Sequence, residues 1–121
     1  MARVALIGIA GAAGALARYW VGQAVGARSF PWATLGINVA GSLLLGFVLA
    51  GPITDRWPPN ASVAVAVGFL GAFTTFSTFA FETTALLRDD RPLAALAYVG
   101  ASVLLGLAAS ALGYVVGRAL V

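Results

Sequence analysis

Residues 68–82 read GFLGAFTTFSTFAFE, in which the hydroxyls of Thr74, Thr75, Ser77 and Thr78 alternate with the rings of Phe69, Phe73, Phe76, Phe79 and Phe81. The stretch belongs to a run without charge from 57 to 81, longer than the roughly 20 residues that cross a bilayer. In hydrocarbon an unsatisfied hydroxyl or an open backbone bond is costly, so such a segment persists only where it lines a cavity or packs on protein. Glycine loosens the backbone at Gly71, and the hydroxyls after it compete for helical carbonyls, which predicts a break between 71 and 75. Broken membrane helices present carbonyls suited to a small cation and N–H groups suited to an anion.

Other polar side chains inside apolar runs extend the pattern. Thr34 and Asn38 share one helical face, as do Tyr98 and Ser102, each pair four residues apart. Asn38 brings two donors and an acceptor; its bland reading is an interhelical hydrogen bond that serves packing alone. Phe76 and Phe79 lie three apart, and their rings can turn positive edges toward a desolvated anion, although such a pair more often packs a core. Phe69, Phe73 and Phe81 read as lipid-facing or packing residues. Glu82 and Arg18 sit near span ends, where either can simply reach the headgroups. Donors (Arg18, Thr34, Asn38, Thr78, Tyr98, Ser102) outnumber acids inside the spans, which suits an anion.

Several chemistries are excluded. The chain has neither Cys nor His, so disulfides, thiol catalysis, imidazole relays and Cys-based metal sites are absent, and the redox compartment is undetermined. Three of the four carboxylates, Asp55, Asp89 and Asp90, fall in predicted loops. The net charge of +3 comes from arginines near span ends and does not point to nucleic acid. Gly8, Gly11 and Gly14 are spaced three apart with no preceding strand, which is a packing face and not a dinucleotide fingerprint.

The elements that must position these residues follow from hydropathy. A composition 61% hydrophobic and 9% charged lies outside the range of soluble domains. Uncharged runs at 29–54, 57–81 and 92–117 are three spans, and 4–26 is a fourth provided Arg18 snorkels or finds a partner. The rival reading of the N-terminus is a secretory signal with Ala15-Leu16-Ala17 as its cleavage site; it would leave three helices whose polar faces lack a partner. The chain is therefore an all-α membrane protein, a single four-helix transmembrane domain over 1–121 with spans near 4–26, 32–50, 61–86 and 93–118, the third of them broken. Turns at Phe30-Pro31, Gly51-Pro52, Pro58-Pro59-Asn60 and 88–92 separate the spans and leave no extramembrane domain for an active site.

Arginine counts give almost no orienting bias. The side of the termini carries Arg3, Arg56 and Arg118; the other carries Arg28, Arg88 and Arg91, with Arg18 leaning that way. Either weaker signals orient the chain, or it inserts both ways and forms an antiparallel homodimer. Four helices enclose little polar pathway alone, so an oligomer is expected on size. Gly22-xxx-Gly26, Ser42-xxx-Gly46 and Gly113-xxx-Gly117 permit close helix contact, more often within a subunit than between subunits.

Three stretches together resemble the Fluc fluoride channel family, also called CrcB: GAAGALARYW at 11–20, FPWATLGINVAGSLLLG at 30–46 and GFLGAFTTFSTFAFE at 68–82. The resemblance covers spans one to three closely and span four loosely. It implies a dual-topology, antiparallel homodimer in a prokaryotic inner membrane, with two fluoride pores and a central structural sodium ion. By position it makes Phe76 and Phe79 the pore-facing aromatic pair, with the Asn38 amide presented to fluoride beside them. It assigns the sodium to the backbone carbonyls of Gly71 and Thr74 from both subunits. Thr34, Thr78, Glu82, Tyr98 and Ser102 match a polar track along the pore, and Arg18 matches the arginine of the first-span motif. The sequence departs from the family pattern in the lower part of that track, where Leu104 and Gly106 stand at positions at which relatives can have hydroxyls, and this leaves the extent of the track in span four open. The implied activity is passive fluoride export that relieves toxicity, and no enzyme chemistry. Two rival functions are a proton-coupled exporter of organic cations, which needs a carboxylate deep in a helix, and a membrane scaffold, which leaves the TTFSTF cluster unexplained.

Overall fold

A computed structural model describes residues 1–51 and 54–121. Pro52, one of the expected turn residues, lies outside the described residues. Four helical spans are long and apolar enough to cross a membrane. They are α1 (Ala2–Val25), α2 (Trp32–Leu49), a composite third span over Pro59–Arg88, and α6 (Pro92–Ala119). The third span consists of α3 (Pro59–Val63), a π-helical segment (Ala64–Leu70), one helical turn α4 (Gly71–Phe73), and α5 (Phe76–Arg88). Helix α1 therefore runs unbroken past Arg18, as four spans require.

The break falls at Thr74 and Thr75. Both residues are extended, with φ/ψ of −77°/157° and −150°/118°. Thr75 then caps α5, its Oγ1 accepting from the Thr78 N–H at 3.2 Å and donating to Thr78 Oγ1 at 3.0 Å. The hydroxyl-rich sequence thus ends one helix and starts the next within two residues. The π-helical segment was not legible beforehand. It carries Gly68 against Ile7 and Ala10 of α1.

Small residues set the helix spacing. A Cβ at Gly46 would overlap the Ser110 carbonyl and one at Gly113 the Leu43 carbonyl, so α2 and α6 touch backbone to backbone. This seam is intrasubunit and uses two of the three small-residue pairs. Gly22 and Gly26 of the remaining pair face open space. The buried centre is small: Leu35, Leu86, Ala95 and a fully enclosed Tyr98, with Phe30, Val39 and Phe79 packed around them. Leucines and valines of α1 and α6 point outward in large numbers, as helices solvated by lipid do.

The ends of the bundle are tied. Arg3 Nε donates to Asn60 Oδ1 at 2.8 Å, and Arg118 Nη1 to the Ala50 carbonyl at 3.5 Å, at the end that holds the termini. At the other end Arg91 Nη1 donates to the Ser29 carbonyl, joining the α1–α2 loop to the α5–α6 loop.

Candidate functional site: a broken helix between two cavities

Everything at the centre of the bundle depends on how the break is satisfied. The open backbone of Thr75 is closed by Asn38: the Thr75 N–H donates to Asn38 Oδ1 at 2.8 Å, and Asn38 Nδ2 donates to the Thr75 carbonyl at 3.0 Å. One amide side chain thus replaces both bonds that a continuous helix would have made there, and its second N–H remains available. In an unbroken α-helix the Gly71 carbonyl would accept from the Thr75 N–H and the Thr74 carbonyl from the Thr78 N–H. Both donors are diverted, to Asn38 Oδ1 and to Thr75 Oγ1. Gly71 and Thr74 therefore present carbonyls freed of their helical partners, a donor set that fits a hard monovalent cation.

On one side of the break lies a cavity of about 320 Å³ bordered by Asn38, Gly71, Thr74, Phe76, Phe79 and Ser102. Phe76 and Phe79 are 5.7 Å apart between ring centres, tilted by 53°. Phe79 also meets Tyr98 edge to face at 5.1 Å, and Tyr98 meets Phe30 in the same manner at 5.5 Å. Ser102 Oγ is buried without a hydrogen-bond partner, whereas the buried Tyr98 hydroxyl, one turn away on α6, faces Thr34 and Glu82. Phe76 is 78% exposed, so within one chain this cavity lacks a wall.

On the other side a cavity of about 450 Å³ is lined by Arg18, Gln23, Thr34, Thr75 and Thr78 among others. Thr34 Oγ1 donates to Glu82 Oε1 at 2.6 Å. Glu82 in turn lines a third cavity of about 280 Å³ at the end of the bundle, beside Arg28, Ser29, Asp89 and Arg91.

The residues singled out in the sequence are thus divided. Asn38, Phe76, Phe79, Ser102, Gly71 and Thr74 come together in the first cavity; Arg18, Thr34 and Thr78 in the second; Glu82 in the third. Tyr98 is enclosed by aromatic neighbours. Sequence reasoning left out Thr75, which borders both inner cavities, and Gln23, a lone amide five residues beyond Arg18. Their polarity inside an apolar run was the available signal. Phe69 and Phe73 stack on one another at 5.9 Å and Phe81 points outward, as packing and lipid-facing residues do.

An all-helical, multi-pass membrane protein whose third span breaks at mid-length, between a largely apolar cavity and a more polar one, has the architecture of proteins that place irregular backbone and polar groups on a path through the membrane. The family described as "CrcB-like protein, Camphor Resistance (CrcB)" matches residues 5–114, and the chain belongs to that family. Among curated relatives, a "Fluoride-specific ion channel FluC" from Solidesulfovibrio magneticus is 45% identical over 120 residues, covering 96% of this chain and 96% of the relative. "Fluoride-specific ion channel FluC 1" from Symbiobacterium thermophilum is 47% identical over 93% of this chain and 94% of its own length. A "Fluoride-specific ion channel FluC" from Thermus thermophilus is 43% identical, with coverage of 98% and 96%. The resemblance seen in the three sequence stretches is thus family membership, in a family of prokaryotic membrane channels and not of enzymes.

Proposed function

We propose that this protein is a fluoride-selective passive channel that lets cytoplasmic fluoride leave the cell. The observation that carries the reading is the buried, unpartnered Ser102 hydroxyl in the same cavity as the Phe76–Phe79 pair and the spare N–H of Asn38. Orphaned donors in a membrane interior require water or an ion. Amide and hydroxyl N–H and O–H groups, together with positive ring edges, suit an anion small enough to sit among them.

The chain's own residues divide the work. Asn38 holds the break open and offers its second N–H; Ser102 and Tyr98 supply hydroxyls along α6; Phe76 and Phe79 exclude bulk water and larger anions. Thr34, Thr78 and Arg18 continue a polar route on the far side of Thr75, and Glu82 ends it. Hydrogen fluoride enters cells uncharged and ionises at near-neutral pH, and a negative interior then drives the anion out with about 2.3 kcal/mol per 100 mV, so no coupled ion is needed.

The functional unit is an antiparallel homodimer with two pores. The missing wall beside Phe76 and the nearly balanced arginines support this assembly. A structural sodium ion would be held at its centre by the Gly71 and Thr74 carbonyls of both subunits, where it would fix the two breaks against each other. An exporter of organic cations is disfavoured because Glu82, the one carboxylate placed within a span, lies near its end and accepts from Thr34.

Purified protein in liposomes should release fluoride without a proton gradient and far faster than chloride. Equal fluxes of the two ions would overturn the selectivity, and pH-driven cation exchange would overturn the channel.

A further inference from the structure

Phe30 lies in the short loop between α1 and α2, yet it is fastened more firmly than a surface connection requires. Its carbonyl accepts from the Trp32 N–H at 2.8 Å across Pro31, whose φ/ψ of −78°/64° makes an inverse γ-turn. The carbonyl just before it, that of Ser29, accepts from Arg91 Nη1 in the α5–α6 loop. The Trp32 ring rests against Phe30, 4.7 Å away and tilted by 49°. So held, the Phe30 ring meets Tyr98 edge to face at 5.5 Å and 78°, and Tyr98 meets Phe79 at 5.1 Å and 63°. Tyr98 stands between them with no exposed surface, its hydroxyl facing Thr34 and Glu82. Phe30 itself lines none of the three cavities described above.

We infer that Phe30 is a positioning residue for the pore: acting through Tyr98, it fixes the tilt of the Phe79 ring and the aim of the Tyr98 hydroxyl, and so sharpens the choice of fluoride over larger anions. This rests on the channel reading. A ring's edge and face carry opposite partial charge, so an edge-to-face neighbour holds one tilt, whereas an aliphatic neighbour of similar volume leaves the tilt free. In a close-packed interior Tyr98 cannot turn while both Phe30 and Phe79 stay in place. Discrimination by size depends on how little a wall yields, and a loosened wall admits the larger ion first. The bland alternative is that Phe30 only fills space around Leu35 and Leu86, against which it also packs. Its loss would then cost stability and leave the preference among anions unchanged.

The test measures fluoride and chloride efflux from liposomes, with unfolding temperature in detergent, for wild type, Phe30→Ala, Phe30→Leu, Phe30→Tyr and Val48→Ala. Val48 is buried on α2 outside the aromatic chain and reports what lost packing alone does. Phe30→Ala should lower the fluoride-to-chloride flux ratio by about tenfold, the most that one aromatic pair contributes. Phe30→Leu, which restores volume without a ring, should melt closer to wild type and still lose selectivity. Phe30→Tyr keeps the ring and should restore the ratio, and Val48→Ala should melt lower with its ratio unchanged. If Phe30→Ala does not fold, Phe30→Leu carries the test. Wild-type ratios in the folded Ala and Leu variants would overturn the proposal, as would a Phe30→Tyr variant no more selective than Phe30→Leu. An equal loss of selectivity in Val48→Ala would assign the effect to packing in general and overturn it as well. A wild type that passes chloride as fast as fluoride would instead overturn the selective channel on which the proposal stands, before any substitution is compared.

Discussion

Replacing Asn38 with Leu removes both bonds that close the break at Thr75, the 2.8 Å bond to its N–H and the 3.0 Å bond to its carbonyl. Each buried backbone group left unpaired costs about 1–3 kcal/mol, so the pair sets a range of about 2–6 kcal/mol. The adjoining cavity of about 320 Å³ has room for water, and replacement hydrogen bonds should bring the loss to the low end, about 2 kcal/mol. Asn38→Asp separates two roles. A carboxylate can still accept from the Thr75 N–H, yet it cannot donate to the Thr75 carbonyl, and it puts negative charge where an anion is proposed to pass. The assay pairs thermal unfolding in detergent with fluoride efflux from liposomes. Asn38→Leu should lower the unfolding temperature and abolish flux. Asn38→Asp should destabilise less and still block flux. If Asn38→Leu melted with wild type, the amide would not be what holds the break, and the assignment of the freed Gly71 carbonyl would fall with it.

Four further perturbations probe the same arrangement. Phe76→Ile and Phe79→Ile should each abolish or strongly reduce fluoride flux while leaving the proposed dimer intact by cross-linking; unchanged flux in both would remove the aromatic pair from the pore. Thr75→Ala deletes the cap of α5 and should cost about 1 kcal/mol in detergent unfolding, and Thr75→Ser should recover most of it. Gly113→Val drives a side chain into the Leu43 carbonyl and should destabilise by about 1–3 kcal/mol or more, whereas Gly22→Ala meets no atom within 4 Å and should be silent. Replacing sodium with N-methylglucamine during purification should reduce flux and loosen the dimer; full activity without sodium would argue against the central ion.

Much of this arrangement was legible because membrane physics makes polarity conspicuous. The hydroxyl cluster after Gly71 announced a broken helix, and the break falls inside the stretch expected, at Thr74 and Thr75. Thr34 and Glu82, far apart in sequence, emerge as hydrogen-bond partners. What was hidden is relational. The sequence allows Asn38 either an interhelical hydrogen bond or a place on an anion path, and the structure shows the first, to the Thr75 backbone; which backbone group it meets depends on how α2 lies against the third span. The π-helical turn over Ala64–Leu70 has no local sequence mark; it accompanies the close approach of Gly68 to α1. The separation of the polar residues into distinct cavities likewise comes from tertiary packing.

The two phenylalanines differ in one respect that bears on how a pore walled by them would behave. Phe79 is locked in a chain of edge-to-face contacts through Tyr98 to Phe30, at 5.1 Å and 5.5 Å, and Tyr98 has no exposed surface. Phe76 has one aromatic neighbour among the described residues, Phe79, and is largely exposed. Ring flips of Phe79 must therefore displace the buried core, and those of Phe76 need not. The pair amounts to a stationary jaw and a swinging one, and in the proposed pore the rhythm of passage would be set by Phe76.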